Sequence, residues 1–558
     1  MSVNQKTSDG LQGQLEKDMT AKERIASLET ENLFLREKVA QMEMLHAISV
    51  ARNPQHTVLS ALDEERHKFE EAIQPHNYGN SRTEDYNELP TYPSRPHFSK
   101  ATEHPSTQVV IFDGCPTDPY HPSSTPIYQT ATFVQPDITQ FGPYDYSRSG
   151  NPTRTALETL MAKLEGAHSA FAFSSGMAAL QTLVTVLRSG DALLASSDLY
   201  GGMHRLMTQI TAHLNIEIIF VETWNLDKVR EAFRAHANIK LLHMESPTNP
   251  LMRIVDVATI CEIAHAHGSE VSIDNTMMTP IRCTPLTLGC DYVMHSATKF
   301  ISGHSDTMAG VLCTRSPAQS KRIAFLQNAQ GNALAPFDCW LLQRGIKTLA
   351  LRVEKQELNA VAVALFLARQ RHIIKRVHYA GLNPKVFPNM ISSDENSFLL
   401  HRRQTSGPGS VMSFETGSVE RSHRFVRACK LFKLTVSFGS CNSLIEMPCL
   451  LSHASIPKEK RTLPDDLIRL SVGIEQIEDI LADLTKAVEA AEDSDSVTSA
   501  SASELTDRDI IGSFKGSESC VDGDRHARFF RFVSSSFFLF FFFFFFFFFF
   551  FFSVFLRE

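Results

Sequence analysis

Residues 167–314 alternate between short apolar runs and helical stretches, and this alternation constrains the fold more than any other feature of the chain. The runs are SAFAF, ALLAS, IEIIFVE, IKLLHMES, EVSID, YVMHS and GVLCT. Between them, residues 177–187, 226–236 and 257–267 carry apolar positions at helical spacing. Strand, helix, strand at this interval predicts an α/β fold with a large, mostly parallel sheet covered by helices on both faces. Ligands in such sheets bind just beyond the carboxyl ends of the strands. The residues that follow each run are therefore where chemistry is to be sought.

Lys299 holds one of these positions, in YVMHSATKFISGHSD, where a strand breaks into the hydroxyl residues Ser296 and Thr298. An amine against an apolar wall loses solvation, so its charged form is disfavoured and part of it is nucleophilic near neutral pH. Such a lysine condenses with aldehydes, and the flanking hydroxyls suit a phosphate. Pyridoxal 5'-phosphate (PLP) is thus the first cofactor to consider. Taken alone, a lysine in such sequence also reads as a solvated surface residue.

Other strand ends carry unusual residues. In SSGMAA, a serine pair runs through Gly176 and Met177 into a helix, either as an anion seat of backbone N–H groups or as a plain serine cap. No Gly-Lys-Ser/Thr follows, so it is not a P-loop. Tyr200, in SDLYGGMHR, can lie flat on an aromatic ring or pack as a core or lid residue. Asn249 is presented by the SPTNP turn. Asp274 ends the apolar VSID, where a buried carboxylate needs a cation such as a pyridinium nitrogen, unless it caps the following turn. Away from the alternating region, YDYSRSGNPTR displays Tyr146 and Arg148 on a loop, a place to grip an anion or an ordinary surface turn. Arg469, among apolar neighbours in LIRLSVGIE, suits either a bidentate clamp on a substrate carboxylate or a structural ion pair.

Length and composition set the frame. The 558 residues suffice for about two to four domains. A net charge of -8 leaves no electrostatic footprint for nucleic acid. Ten scattered cysteines, with no CxxC pair and no His/Cys cluster, read as reduced thiols, and no metal site is expected. The acid-rich N-terminus resembles neither a secretory signal nor a transit peptide, which makes cytoplasm the expected location.

The expected organisation runs in five parts. Residues 1–76 form a helical extension, in which Ile25, Leu28, Asn32, Leu35, Val39 and Met42 fit either a short coiled coil or one amphipathic helix. Residues 77–155 read as proline-rich linker and extended arm, 156–355 as the large cofactor domain and 356–491 as a smaller C-terminal domain. The helical pattern that leads from one domain to the other is punctuated by Pro336 and Gly345. Residues 492–558 form a disordered tail ending in a phenylalanine run, 537–552. That run reads as a tail anchor, a soluble extension or an artefact of the reading frame, and membrane attachment is not expected.

From about residue 105 to 490 the chain resembles the Cys/Met-metabolism family of PLP-dependent enzymes, through YSRSGNPTR, SSGMAA, ESPTNP, DNT and HSATKFISGHSD in that order. Within the family it is similar to the plant-type cystathionine beta-lyases, through DYVMHSATKFISGHSDTMAGVL and CNSLIEMPCLLSHASIP. The resemblance implies the fold type I architecture of aspartate aminotransferase, a large sheet domain with a smaller α+β domain. It implies that Lys299 carries the cofactor and shuttles protons, that Asp274 pairs with the ring nitrogen, that Tyr200 stacks on the ring and that Asn249 lies near the ring hydroxyl. Gly176, Met177, Ser296 and Thr298 would bind the phosphate. Tyr146 and Arg148 would reach the phosphate of a neighbouring subunit in a dimer, two dimers making a homotetramer. Arg469, with Ser437 beside it, would hold the carboxylate of an amino-acid thioether. The implied reaction is beta-elimination of cystathionine. The rivals are a gamma-synthase or gamma-lyase of the same family and, from another class, a coiled-coil interaction protein with a relic enzyme body. Many relatives carry a glutamate where this chain has Asn442, a departure that favours chemistry at the beta carbon.

Overall fold

The computed structural model describes residues 103–492 apart from 113, 115, 117 and 455–462. The heptad segment, most of the proline-rich linker, the acidic tail and the phenylalanine run lie outside the described residues.

Every one of the apolar runs forms a strand: β1 (Ser169–Phe173), β2 (Ala192–Ser196), β3 (Glu217–Val221), β4 (Ile239–Glu245), β5 (Glu270–Asp274), β6 (Tyr292–His295) and β7 (Gly310–Thr314). They make a seven-stranded sheet in the order β1-β7-β6-β5-β4-β2-β3. The pairings from β3 to β6 are parallel, and β7 runs antiparallel to both of its neighbours. Both faces are dry. On β4, Leu242 and Met244 pack with Leu157 and Met161 of helix Pro152–Glu165 and Ile260 of helix Val257–Ala266, whereas Leu241 packs with Leu183 of helix Gly176–Val184 and Ile323 of helix Pro317–Gln330. A strand buried on both sides has no polar face to show, which is why the runs are continuously apolar and not alternating. Each fully buried Leu, Ile or Val contributes about 1.5–3 kcal/mol.

The second sheet has five strands, β8 (Arg376–His378), β9 (Val411–Glu415), β10 (Lys433–Leu434), β11 (Leu444–Glu446) and β12 (Leu467–Ser471), in the order β10-β11-β12-β9-β8. Its core contains Met412, Phe414, Ile445 and Leu470, covered by Leu484 and Val488 of helix Ile477–Glu492.

Two expected boundaries fall within helices. The division at 355/356 falls inside one 21-residue helix, Leu349–Arg369. Leu349 and Val353 of that helix belong to the core of the large sheet, and Ala360, Val363 and Leu367 to the core of the small one. No proline or glycine interrupts LALRVEKQELNAVAVALFLAR, so the helix continues across both cores. The span 77–155 is not linker throughout: Pro105–Ile111 is a helix that buries Val109 in the same core as Leu160. Proline is tolerated in a first helical turn, and a punctuation residue was here a start signal. Beyond it, the segment through Val134, Ile138 and Phe141 leaves these three side chains exposed.

Candidate active site

A cleft of about 370 Å³ opens at the carboxyl ends of β2, β4, β5 and β6 and is closed from the other side by residues 436–438 and β12. Gly176, Met177, Tyr200, Asn249, Asp274, Ser296, Lys299, Ser437 and Arg469 all line it.

Lys299 follows β6 and donates from Nζ to Ser437 Oγ at 2.9 Å. Burial, and then the Arg469 guanidinium, lower its pKa to about 8, against the opposing pull of Glu446 and Asp274. The amine is therefore partly neutral near physiological pH. Ser437 has φ 143°, a sparsely populated backbone conformation for a residue with a Cβ. That conformation presents its hydroxyl to Lys299 and its carbonyl to Arg469.

Asp274 accepts from the Thr276 backbone N–H at 2.8 Å, the capping bond that its sequence allowed. It also faces the cleft, where burial raises its pKa against the effects of Thr276, His295 and Lys299. Directly across from it, in register on β4, stands a second acid, Glu245.

The SSGMAA segment satisfies both of its readings. Ser175 Oγ caps the helix at Ala178 N, 3.0 Å away, while Gly176 and Met177 contribute the first N–H groups, which have no partner within a helix. A Cβ on Gly176 would lie 3.0 Å from Ser296 Oγ, so the glycine lets these two walls meet. Gly310, which opens β7, supports the seat from behind: a Cβ there would lie 2.2 Å from Ser175 O.

Arg469 is buried and also plays both of its possible parts. It pairs with Glu446 at 2.8 Å, donates to Asn249 Oδ1 at 3.0 Å and to Ser437 O at 2.8 Å, and still borders the cleft. Nη2 makes the contacts to Glu446 and Ser437 O and Nη1 the contact to Asn249, so the guanidinium is held in place where it meets the cleft.

The amine, the acid and the anion seat converge in one cleft, and residues 106–489 match the model of the Cys/Met metabolism PLP-dependent enzymes. The chain belongs to this family. A chloroplastic cystathionine beta-lyase of Mimosa pudica is 50% identical over 386 residues, covering 69% of this chain and 81% of that protein. A cystathionine gamma-lyase of Bacillus subtilis is 43% identical, covering 66% of this chain and 94% of that protein. Among solved structures, a cystathionine gamma-lyase of Lactobacillus plantarum complexed with L-serine aligns at TM-score 0.65 and 38% identity, over 70% of this chain and all of that one (100%). A cystathionine gamma synthase of Xanthomonas oryzae pv. oryzae in complex with cystathionine aligns at TM-score 0.66 and 33% identity, over 70% of this chain and 99% of that one. The fold is that of the PLP-dependent fold type I enzymes, and the protein is a PLP-dependent lyase of this family.

The site's own chemistry fits the cofactor of these PLP enzymes. A buried carboxylate suits a ring nitrogen, the helix start suits a phosphate, and a desolvated amine suits an aldehyde. Three residues expected at the site do not line this cleft. Thr298 is held by its own turn: its Oγ1 donates to Ala309 O at 3.2 Å and accepts from Ala309 N at 3.0 Å. Tyr146 and Arg148 lie on the exposed arm, with the guanidinium 5.4 Å from the tyrosine ring centroid and Nε donating to Asn328 Oδ1 at 3.1 Å. Sequence reasoning missed Glu245 and Glu446. Glu245 ends the apolar run of β4 as Asp274 ends that of β5, so the argument that singled out one acid applied equally to the other.

Proposed function

We propose that the protein is a cystathionine beta-lyase, which converts cystathionine and water into homocysteine, pyruvate and ammonia. The observation that carries the reading is the partly neutral Lys299 amine, held by Ser437 in one cleft with Asp274 and Arg469. Arg469, which borders the cleft, receives the substrate's α-carboxylate and fixes the Cα–H bond towards Lys299. Lys299 Nζ takes the α-proton as general base. PLP, when bound, supplies the electron sink that makes this proton removable, with Asp274 holding the charge of the ring nitrogen. The Cβ–S bond breaks with its electron pair leaving on sulfur, which is protonated to the thiol of homocysteine. The ring of Tyr200 forms the wall against which the cofactor stacks, and its hydroxyl is a second group able to pass a proton to the sulfur.

Similarity favours beta over gamma chemistry: the plant beta-lyases of Mimosa pudica and Arabidopsis thaliana are 50% and 49% identical, the Bacillus subtilis gamma-lyase 43%. Asn442 adds to this, since its Oδ1 accepts from Ser440 Oγ at 2.8 Å and the position supplies no carboxylate. Incubation with cystathionine is expected to release pyruvate and homocysteine. Accumulation of 2-oxobutyrate and cysteine would assign the protein to the gamma-lyases instead.

The same reading extends to assembly. Tyr146 and Arg148, which do not line their own cleft, would complete the phosphate site of a second copy, in a dimer that pairs into a tetramer. Sedimentation is expected to show an oligomer, and Arg148→Ala is expected to weaken cofactor binding without dissociating it. A monomer that binds the cofactor as tightly as the parent protein would exclude shared sites.

A further inference from the structure

Glu245 is buried at the floor of the cleft, and neither the fold nor the proposed reaction has given it a task. It sits opposite Asp274 on neighbouring parallel strands, where backbones are about 4.8 Å apart and side chains in register point to the same face. Two carboxylates so close in a dry site do not both ionise unless each has a cation. Among the described residues Arg205 also lines the cleft, without an ion pair to Glu245, and the other cations have partners of their own. Arg469 is paired with Glu446, Lys299 is bonded to Ser437, and Arg253 lies 4.0 Å from a third acid, Asp198, which also accepts from Thr248 Oγ1 at 2.5 Å. Among the described residues no ion pair reaches Glu245. Its Oε1 instead accepts from the backbone N–H of Tyr200 at 2.9 Å, and the Asn249 backbone N–H serves the same carboxyl. Burial first, then the charge of Asp274, push its pKa well above the carboxylate range.

The geometry points to Glu245 as an uncharged carboxylic acid that positions the Tyr200 backbone beside the cofactor site and leaves the negative charge to Asp274. Tyr200 needs such an anchor. The residue is 40% exposed, so core packing does not fix it, and its ring lies so close over Gly202 that a Cβ there would meet Cε1 at 2.4 Å. The peptide that carries the ring is the N-cap of helix Gly201–Arg205 and has no side-chain cap of its own. Glu245 Oε1 holds that peptide, and the backbone of Asn249 serves the same carboxyl. Two walls of the cleft thus meet on one carboxyl, and a neutral acid still offers its carbonyl oxygen to the Tyr200 N–H. This inference requires the family's cofactor and is independent of which carbon–sulfur bond is cut.

The test compares Glu245→Gln with Glu245→Ala in the full chain, measuring the PLP dissociation constant and the pH midpoint of the absorbance of bound PLP. The glutamine keeps a neutral acceptor, so PLP affinity is expected to stay within about twofold of the parent and the midpoint to stay in place, whereas alanine loses about tenfold in affinity through the missing hydrogen bond. A midpoint displaced by about half a unit or more in Glu245→Gln would show that a charge had been removed and would overturn the assignment. Alanine binding PLP as tightly as the parent would overturn the positioning role. Failure of Glu245→Gln to fold would also count against it, because a neutral isostere should be tolerated. If only the alanine variant fails to fold, the glutamine titration decides.

Discussion

Lys299→Ala is expected to abolish retention of the cofactor and lyase turnover together, with a loss of at least about 10³-fold in kcat, the upper part of the range for a missing general base. The size follows from one amine serving as both covalent anchor and base. The electrostatics give this expectation a pH signature. With a pKa of about 8, roughly a tenth of Lys299 is neutral at pH 7, compared with roughly one part in 2,500 for an ordinary lysine near 10.4. Only the neutral amine attacks an aldehyde. The rate at which the cofactor-free protein captures PLP should therefore rise through pH 7 and 8 and level off above about 9. Stopped-flow absorbance reads this directly. A rate still climbing at pH 10 would show that the amine is solvated, and turnover retained by the alanine variant would remove Lys299 from the mechanism.

The second large effect is expected at Arg469→Met. Arg469 and Glu446 are 3% and 1% exposed, so removing the guanidinium leaves a carboxylate buried with Ser452 Oγ as its remaining hydrogen-bond donor. Breaking such a pair costs about 3–5 kcal/mol of stability. Neutralising the orphan should recover part of that loss, so Arg469→Met/Glu446→Gln is expected to melt above the single variant. The kinetic loss is separate: without a partner for the substrate carboxylate, kcat/KM should fall by roughly 30–150-fold, corresponding to about 2–3 kcal/mol for charged hydrogen bonds. Thermal melts and steady-state kinetics on both variants distinguish these contributions. A double variant that regains both stability and kcat/KM would show that the arginine is structural and does not touch substrate.

The positions of the strands were legible because burial on both faces leaves a continuous apolar run, a local property of the chain. Lys299, Asp274 and Arg469 were legible as candidates because a polar residue inside or just after such a run needs a partner. Which partner it meets was not. Lys299 meets Ser437 across 138 residues and Arg469 meets Asn249 across 220, separations that no periodicity spans. Thr298 shows the same limit: its type and position suited a phosphate, but its bonds to Ala309 O and N, 11 residues on, could not be read from the run. The helix through Leu349–Arg369 was recognisable as a helix, but that its two ends serve two cores was set only by where the second sheet comes to rest.

By itself, then, the sequence determined the layered sheet, the strand ends at which chemistry gathers, and an amine, an acid and a guanidinium that could not be left unpartnered in apolar surroundings. The tertiary structure alone decided that Glu446 neutralises Arg469, that Glu245 faces Asp274, and that Lys299 is buried within reach of their charges, its pKa lowered to about 8. The reason is physical. Apolar periodicity is written in consecutive residues, whereas the charge state of a buried group is the sum of desolvation and of every charge that the folded chain brings beside it.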